Sequence, residues 1–275
     1  MAHPPRSGSP RPGGYRAEDI QESEPFEVSD GKLIECLPAG ARHGRANLDG
    51  GGVLSSDPAV ESAGVDVGFS PDAKTLRAPD IAVGGVPNTP GWVKGAPPLA
   101  VEYADAGQDA QDLRLKIGEL IRAGTRYVWV VRLTGPRRIE VHEAGKEVRI
   151  AYPGEDLTAP GVLQNPVPVL AMFDRGAAQD TVLRNLLNRH GYQNLEHVVA
   201  KHRSEGWVEG EAAGQAAGQA AGQAAALLTV LTSRGLAVPE ALQARVLAEL
   251  DLPTLQRWLV RALSAQVADD IVRGD

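Results

Sequence analysis

Pro98-Leu-Ala-Val-Glu-Tyr-Ala104 and Arg126-Tyr-Val-Trp-Val-Val-Arg-Leu133 are two short apolar runs that decide the fold of this chain. The segment between them carries one apolar stripe at helical spacing, formed by Leu113, Ile117, Leu120 and Ile121. Gly124 follows the stripe, as is typical of a helix C-terminus. The pattern predicts a helix over 109–123 that connects two buried strands. Such a unit indicates an α/β or α+β domain with a central mixed β-sheet flanked by helices.

Shorter strands are predicted on both sides of this unit. Alternating or wholly apolar runs indicate strands at 32–37, 64–69, 78–84, 139–142 and 148–151. The segment 38–62 is rich in glycine and has only a weak helical pattern. We therefore expect most of the sheet to come from the middle of the chain.

The two ends of the chain differ from the middle in composition. Residues 1–25 are rich in Pro, Gly and Ser and then acidic, so we expect a disordered lead, followed by the sheet domain over 26–175. Residues 176–275 have helical periodicity and predict an all-α tail. There, Ala-Ala-Gly-Gln repeats three times and aligns Gly214, Gly218 and Gly222. These glycines belong either to an Ala-rich spacer or to the seam of a homo-oligomer, where a second helix approaches closely.

Composition narrows the class of protein. The chain has 275 residues, a net charge of −7 and one cysteine, Cys36, which excludes an intramolecular disulfide and a cysteine-rich zinc site. Its apolar runs are too short to span a bilayer and its N-terminus lacks the apolar core of a signal peptide, so we expect a cytoplasmic protein with no membrane partner. The negative charge argues mildly against non-specific nucleic-acid binding, although residues 31–150 are neutral.

Two carboxylates and a lysine form the strongest candidate site. Asp80 begins one short apolar strand and Glu102 lies at the end of another. Carboxylates at the ends of adjacent buried strands suit Mg²⁺, which prefers oxygen ligands, and Lys116 on the next helix could stabilise charge on a phosphate. The plainer alternatives are a strand-edge acid satisfied by backbone donors for Asp80, and a helix-surface pair between Lys116 and Asp112.

Several stretches together resemble one known family. They are Glu35, His43, Arg77-Ala-Pro-Asp80, Val101-Glu102, Asp112-Leu-Arg-Leu-Lys116, Ala123-Gly-Thr-Arg-Tyr-Val-Trp-Val-Val131 and Leu157-Thr-Ala-Pro-Gly-Val-Leu-Gln-Asn-Pro-Val-Pro-Val169. In order, spacing and flanking apolar runs they are similar to the Uma-two family, whose members are restriction-endonuclease-like proteins of the PD-(D/E)xK nuclease superfamily. The resemblance covers about residues 25–175.

The resemblance implies a restriction-endonuclease-like fold and hydrolysis of DNA phosphodiester bonds with Mg²⁺ or Mn²⁺. Asp80 and Glu102 would be the metal ligands, Lys116 the catalytic lysine and Glu35 an additional acid. In most of the superfamily the lysine stands two residues after the glutamate, where this chain has Ala104. Lys116 matches the displaced lysine that this family is thought to use.

Two departures from the family pattern affect the surroundings of the site. Tyr103-Ala-Asp105 replaces an apolar residue followed by serine, and the segment after His43 is shorter and richer in glycine. His43 itself is expected to be a loop residue rather than a base. Three classes of function stay open: a metal-dependent endonuclease, a dormant nuclease fold that binds nucleic acid or acts as a scaffold, and a structural oligomeriser with the Ala-Gly-Gln helix as its seam.

Overall fold

The computed structural model describes residues 12–106 and 110–273, which divide into two compact units after Asn194. The first unit contains the strands β1 (Phe26–Ser29), β2 (Lys32–Glu35), β3 (Ala63–Val65), β4 (Phe69–Asp72), β5 (Thr75–Arg77), β6 (Ile81–Val83), β7 (Val93–Lys94), β8 (Leu99–Ala104), β9 (Tyr127–Arg132), β10 (Arg138–Glu143), β11 (Arg149–Ala151), β12 (Asp156–Leu157) and β13 (Val167–Pro168). Its helices are α1 (Ala41–Ser55), α2 (Ala110–Arg122) and α3 (Arg175–Arg189), with short 3-10 turns at Ala17–Asp19 and Val169–Met172.

The main sheet has six strands in the order β11-β10-β9-β8-β6-β3. β8 and β9 are parallel and are connected through α2, whereas the other neighbouring strands are antiparallel. Because β8 is central and covered on both faces, all six of its residues are buried. The predicted mixed sheet with its crossover helix is confirmed.

Different helices cover the two faces of this sheet. Apolar residues of α2 pack on one face in a small core of Ala100, Ala104, Leu113, Ile117, Leu120, Val128 and Val130. The opposite face carries the larger core, to which α1 contributes Val53 and Leu54 and α3 contributes Ala178. Glu102 belongs to the buried strand β8, so its carboxylate lies inside the packed sheet domain.

Helix α3 is held against the end of α1 by polar contacts. The guanidinium of Arg189 donates hydrogen bonds to the carbonyls of Ser55, Ser56, Asp57 and Val60, at 2.7–3.2 Å. These carbonyls lie at and just beyond the C-terminus of α1, where the helix itself leaves carbonyls unpaired. This attachment puts α3 in the first unit, so the unit ends after Asn194 rather than at the expected residue 175.

A second sheet, in the order β2-β1-β5-β4-β7, contains the N-terminal hairpin. Ala17 and Ile20 are each 4% exposed and pack with Val28 and Leu76, and Trp92 donates to the carbonyls of both Ala17 and Ile20. For residues 12–25 the structure therefore differs from the expected disordered lead, because a few apolar side chains suffice to fix this segment against the sheet. Residues 1–11 lie outside the described residues.

Three local differences from the sequence pattern affect the site. The glycine-rich segment at 38–62 contains the 15-residue helix α1, and the predicted strand at 64–69 is divided into β3 and β4. Asp66 stands at this break with a φ of 53°, a left-handed conformation that ends strand pairing. Strand β1 was not predicted, because the charged residue Glu27 interrupts its apolar pattern.

The second unit, from Leu195, is helical, and the all-α tail is confirmed. It comprises α4 (Leu195–Ser233), α5 (Glu240–Ala248), α6 (Leu252–Ala262) and a 3-10 turn at Ala268–Val272. Its core contains Leu227, Leu231, Val246 and Trp258 among other buried residues, all from position 220 onward. Across the part of the chain that the structure describes, no helix combines the length and the apolar character needed to cross a membrane.

Candidate active site

The register of two neighbouring strands places Asp80 and Glu102 at the same end of the pair. β6 pairs with β8 in antiparallel register, with Ile81 opposite Val101 and Ala82 opposite Ala100. Asp80 directly precedes Ile81, and Glu102 directly follows Val101. The two acids are close enough for the charge of Asp80 to raise the pKa of Glu102. The structure thus brings together the two acids that the sequence singles out.

Glu102 is the more deeply buried of the two acids. It is 1% exposed, and its Oε1 and Oε2 atoms lie 2.9 and 3.1 Å from Nζ of Lys116. Burial raises the pKa of Glu102 to about 8, because desolvation outweighs the attraction of Lys116, and the carboxylates of Asp80 and Glu27 add to the rise. Without a further positive charge, this carboxyl therefore holds its proton up to about pH 8.

Lys116 projects from α2 into the centre of the cluster. Its ammonium donates to the carbonyl of Ala78 at 2.7 Å and to Glu102, and its Nζ lies 3.1 Å from Oε1 of Glu27. Burial alone would lower the pKa of Lys116, but the carboxylates of Glu102, Glu27 and Asp80 together raise it. The lysine is therefore charged, and it pairs with buried acids rather than with Asp112 on the helix surface as in the plainer alternative.

Glu27 on β1 is an acid of this cluster that the sequence pattern did not indicate. It is 6% exposed, accepts a hydrogen bond from the backbone N–H of Ala78 at 3.1 Å, and binds Nη1 of Arg77 at 2.8 Å through its other oxygen. Burial opposes ionisation, yet Lys116 and Arg77 together lower the pKa of Glu27. Glu27 is therefore a fixed negative charge beside the lysine.

Arg77 extends the cluster away from the two opposed acids. It is 2% exposed and binds Glu119 of α2 as well as Glu27. Glu119 in turn accepts a hydrogen bond from the hydroxyl of Ser29 at 2.6 Å. The network connects β1, β5 and α2 next to the candidate site. It therefore fixes the strand that carries Glu27 relative to the helix that carries Lys116.

Asp80 is less buried than Glu102 and has polar partners of its own. Its side chain is 15% exposed, accepts a hydrogen bond from the backbone N–H of Tyr103 at 2.6 Å, and approaches Nε2 of His43 at 3.2 Å. The hydrogen bond to Asp80 is the largest cause that raises the pKa of His43. His43 lies in the first turn of α1, not in a loop as expected, and is thus brought to the site by a helix.

Glu35, predicted as an additional acid, stands apart from these contacts. It is exposed at the end of β2, opposite Phe26, and lines a cleft of about 1150 Å³ between the N-terminal hairpin and α2. Within the described residues, Glu27 rather than Glu35 is the acid of the hairpin that contacts Lys116. The one signal in the sequence that could have indicated Glu27 is a charged residue between Phe26 and Val28, at a position that the strand buries.

The donor set fits a hard divalent cation. Oε1 of Glu102 is buried with no hydrogen-bond donor among the described residues, although Nζ of Lys116 lies 2.9 Å away as an ion-pair partner. Asp80 offers further carboxylate oxygens on the same face. Within 12–106 and 110–273, no group of three or more His, Cys, Asp or Glu side chains is arranged to hold a metal. Two carboxylates are nevertheless what Mg²⁺ commonly takes, with phosphate and water completing its coordination.

Comparison with known proteins identifies the family of this chain and a structure with a similar fold. Residues 15–171 match the sequence model of the Uma2, or Uma-two, family, which is described as "Putative restriction endonuclease". A crystal structure of "a putative nuclease belonging to DUF820" from Anabaena variabilis is 17% identical, with a TM-score of 0.50 over 58% of this chain and 96% of that chain. At this identity the likeness concerns the fold. No curated protein matches the chain. Since the family match spans more than half of its residues, this chain belongs to the Uma2 family of restriction-endonuclease-like proteins.

Proposed function

We propose that this chain hydrolyses phosphodiester bonds in DNA with Mg²⁺ or Mn²⁺ held between Asp80 and Glu102. The observation that carries the proposal is the pairing of β6 with β8, which ends beside these two carboxylates, with a charged lysine at hydrogen-bond distance from Glu102. Such a cluster combines two carboxylates that can bind a cation with one positively charged side chain that can contact the phosphate. The membership of the Uma2 family supports the same reaction class.

The residues of the chain take separate roles in this proposal. Asp80 and Glu102 bind the cation, and Lys116 stabilises negative charge that develops on the phosphate. The chemistry that Mg²⁺ supplies in such a site is polarisation of the phosphate and a lowered pKa of a bound water molecule. Arg45 is exposed near the N-terminus of α1, close in sequence to His43, where the helix dipole also favours an anion. It is suited to contact the DNA backbone. Arg42 is also exposed, but its guanidinium is bound by Asp105.

A nuclease assay with matched variants tests the proposal. Wild type, Asp80→Ala and the control Asp156→Ala are incubated with plasmid and with labelled DNA, in Mg²⁺, Mn²⁺ or EDTA. Asp156 is an exposed aspartate of β12 in the same unit and outside the cluster. We expect cleavage that needs metal, that disappears in Asp80→Ala without loss of the fold by circular dichroism, and that persists in Asp156→Ala. Cleavage by Asp80→Ala at the wild-type rate would contradict the assignment.

The dormant nuclease fold is the alternative that the same assay addresses. Absence of cleavage by wild type on duplex, single-stranded and branched DNA, together with absence of Mn²⁺ binding in calorimetry, would favour a binding or scaffolding role. Metal binding that depends on Asp80 and Glu102 but is unaccompanied by cleavage would leave the metal site in place and refute only the hydrolysis of these substrates.

A further inference from the structure

The ammonium of Lys116 is surrounded by three polar partners in this structure. Its Nζ donates hydrogen bonds to the carbonyl of Ala78 at 2.7 Å and to Oε2 of Glu102 at 3.1 Å. It also forms ion pairs with Oε1 of Glu102 at 2.9 Å and with Oε1 of Glu27 at 3.1 Å. To turn toward a phosphate, the lysine must loosen its contact with one of these partners.

Two of the three partners belong to one rigid unit. Oε1 of Glu27 accepts the N–H of Ala78 at 3.1 Å, while the carbonyl of Ala78 accepts from Lys116, so one residue bridges acid and lysine. The second oxygen of Glu27 is bound by Arg77, which Glu119 holds from the other side. Glu27 can hardly move without breaking these bonds.

Glu102 is the partner best able to exchange its contact with the lysine. Its Oε1 atom has no hydrogen-bond donor in the described part of the chain. If Glu102 held a cation together with Asp80, its carboxylate would no longer need the ammonium as counter-charge. Glu27 is instead bound by Arg77 as well as by Lys116, so it would keep its negative charge beside the lysine.

We infer that Glu27 is the positioning residue of Lys116, an inference that rests on the proposed function. The carbonyl of Ala78 and the ion pair with Glu27 hold the ammonium, and the N–H donated to Glu102 in this structure would become free for the phosphate once Glu102 binds a cation. Glu27 thereby keeps the lysine in the site when its attraction to Glu102 is lost. It touches neither cation nor phosphate, and acts through Lys116.

The test compares Glu27→Gln with Glu119→Gln in the full chain. Both variants remove one buried carboxylate charge that binds Arg77, but only Glu27 also contacts Lys116. In Glu27→Gln the lysine has Glu102 as its remaining carboxylate partner and competes with the cation for it. By calorimetry we expect Mn²⁺ binding to weaken about 10- to 100-fold, the range seen when partners of metal ligands are lost, and Glu119→Gln to change it by less than about threefold.

Lysine NMR provides a readout that a merely structural role would not change. The chain has six lysines, so a spectrum of ¹⁵N-lysine-labelled protein is simple, and the ammonium signal of Lys116 is assigned with Lys116→Arg. On addition of Mg²⁺ we expect this signal to persist in wild type and in Glu119→Gln, because the carbonyl of Ala78 and the carboxylate of Glu27 still hold the ammonium. In Glu27→Gln we expect the Lys116 signal to disappear on addition of Mg²⁺, because an ammonium without a carboxylate partner exchanges its protons rapidly with water.

The outcomes separate this inference from the proposed function. Equal Mn²⁺ affinities of the two variants, with the Lys116 signal retained in both, would overturn the role of Glu27 even if wild type cleaves DNA. Metal binding and lysine signals as expected, without cleavage of DNA, would support Glu27 and refute the hydrolysis. If Glu27→Gln does not fold, loss of the Lys116 signal from wild type on Mg²⁺ addition would by itself overturn the inference, and its persistence would support it.

Discussion

At the scale of single residues, the burial of Glu102 opposes the negative charge that a carboxyl group ordinarily carries at neutral pH. Glu102 is 1% exposed, and it shares the ammonium of Lys116 with Glu27. Arg77 supplies a second positive charge to Glu27, whereas Glu102 holds its proton up to about pH 8. A buried carboxylate is stable only when it is paired or bound to a metal. A divalent cation would therefore take the place of the proton on Glu102.

The raised pKa of Glu102 gives metal binding a defined pH dependence. The folded-state value of about 8 lies above the ordinary 4.5, so the folded chain holds a proton at Glu102 between these values, and a cation must displace it. We expect the Mn²⁺ affinity measured by calorimetry to rise as the pH increases from 6 to 8, by up to about tenfold per unit, and to level off above pH 8. An affinity that is constant from pH 6 to 8 would contradict this result.

The raised pKa of Glu102 also makes the stability of the metal-free protein depend on pH. Stability falls as the pH rises, whereas metal affinity increases. Because Glu102 binds its proton more tightly in the folded state, its neutral form contributes stability that is lost as the pH rises from about 4.5 through about 8. Glu102→Gln should remove this part of the pH dependence, so that the melting temperatures of wild type and variant diverge most above pH 8. Saturating Mg²⁺ should restore the stability of wild type and leave that of Glu102→Gln nearly unchanged.

At the scale of elements, the packing of α1 against Tyr103 of β8 requires a glycine at position 50. A Cβ on Gly50 would meet the hydroxyl of Tyr103 far inside van der Waals contact, whereas a Cβ on the neighbouring Gly51 would lie 3.8 Å from Val65. We expect Gly50→Ala to destabilise the first unit by about 1–3 kcal/mol through overpacking. Gly51→Ala should instead stabilise it by up to about 1 kcal/mol, since alanine favours a helix. Urea unfolding of both variants checks this, and equal midpoints would contradict the close contact.

The elements also show what a sequence can reveal about this fold. The unit of β8, α2 and β9 was predictable because its apolar residues follow strand and helix periods, and Asp80 and Glu102 could be placed from the same runs. Helix α1 was not clear, because the glycines near Gly50 weaken its pattern while the packing against Tyr103 requires one of them. Glu27 has only a weak signal, a charged residue between two apolar ones, because its partner Lys116 is distant in the sequence and the sequence does not show that the two side chains meet.

At the scale of the whole molecule, the second unit contains a long surface that its own described residues leave uncovered. A Cβ atom added at Gly214, Gly218 or Gly222 of α4 would meet no atom of the described residues within 4 Å. Trp207 on the same helix is 75% exposed. An exposed helix with several glycines gains little stability by itself, because each glycine costs about 1 kcal/mol. The homo-oligomer seam considered from the sequence therefore stays a proposal with a direct test.

A substitution at the middle one of the three glycines of α4 tests whether this surface is the seam of a homo-oligomer. Gly218→Leu has room within the chain, so the variant should fold, but it would prevent the close approach of a second α4 helix. If the stripe is a seam, we expect the mass measured by light scattering to fall toward that of the monomer. Ala216→Leu is the control, because position 216 is also exposed and lies two residues away, on the other side of the helix. A mass equal to that of wild type in Gly218→Leu would rule out the seam.

The antiparallel pairing of β6 with β8 restricts how the length of this chain can vary in evolution. A residue inserted between Asp80 and the paired part of β6, or between Glu102 and the paired part of β8, would turn one of the two acids to the other face of the sheet. The connection between the strands is different: residues 87–91 are exposed, and added residues there would lengthen a surface turn without moving either acid. Among natural members of the family, we therefore expect insertions and deletions in this connection, while the spacing from Asp80 to Val83 and from Leu99 to Glu102 stays fixed.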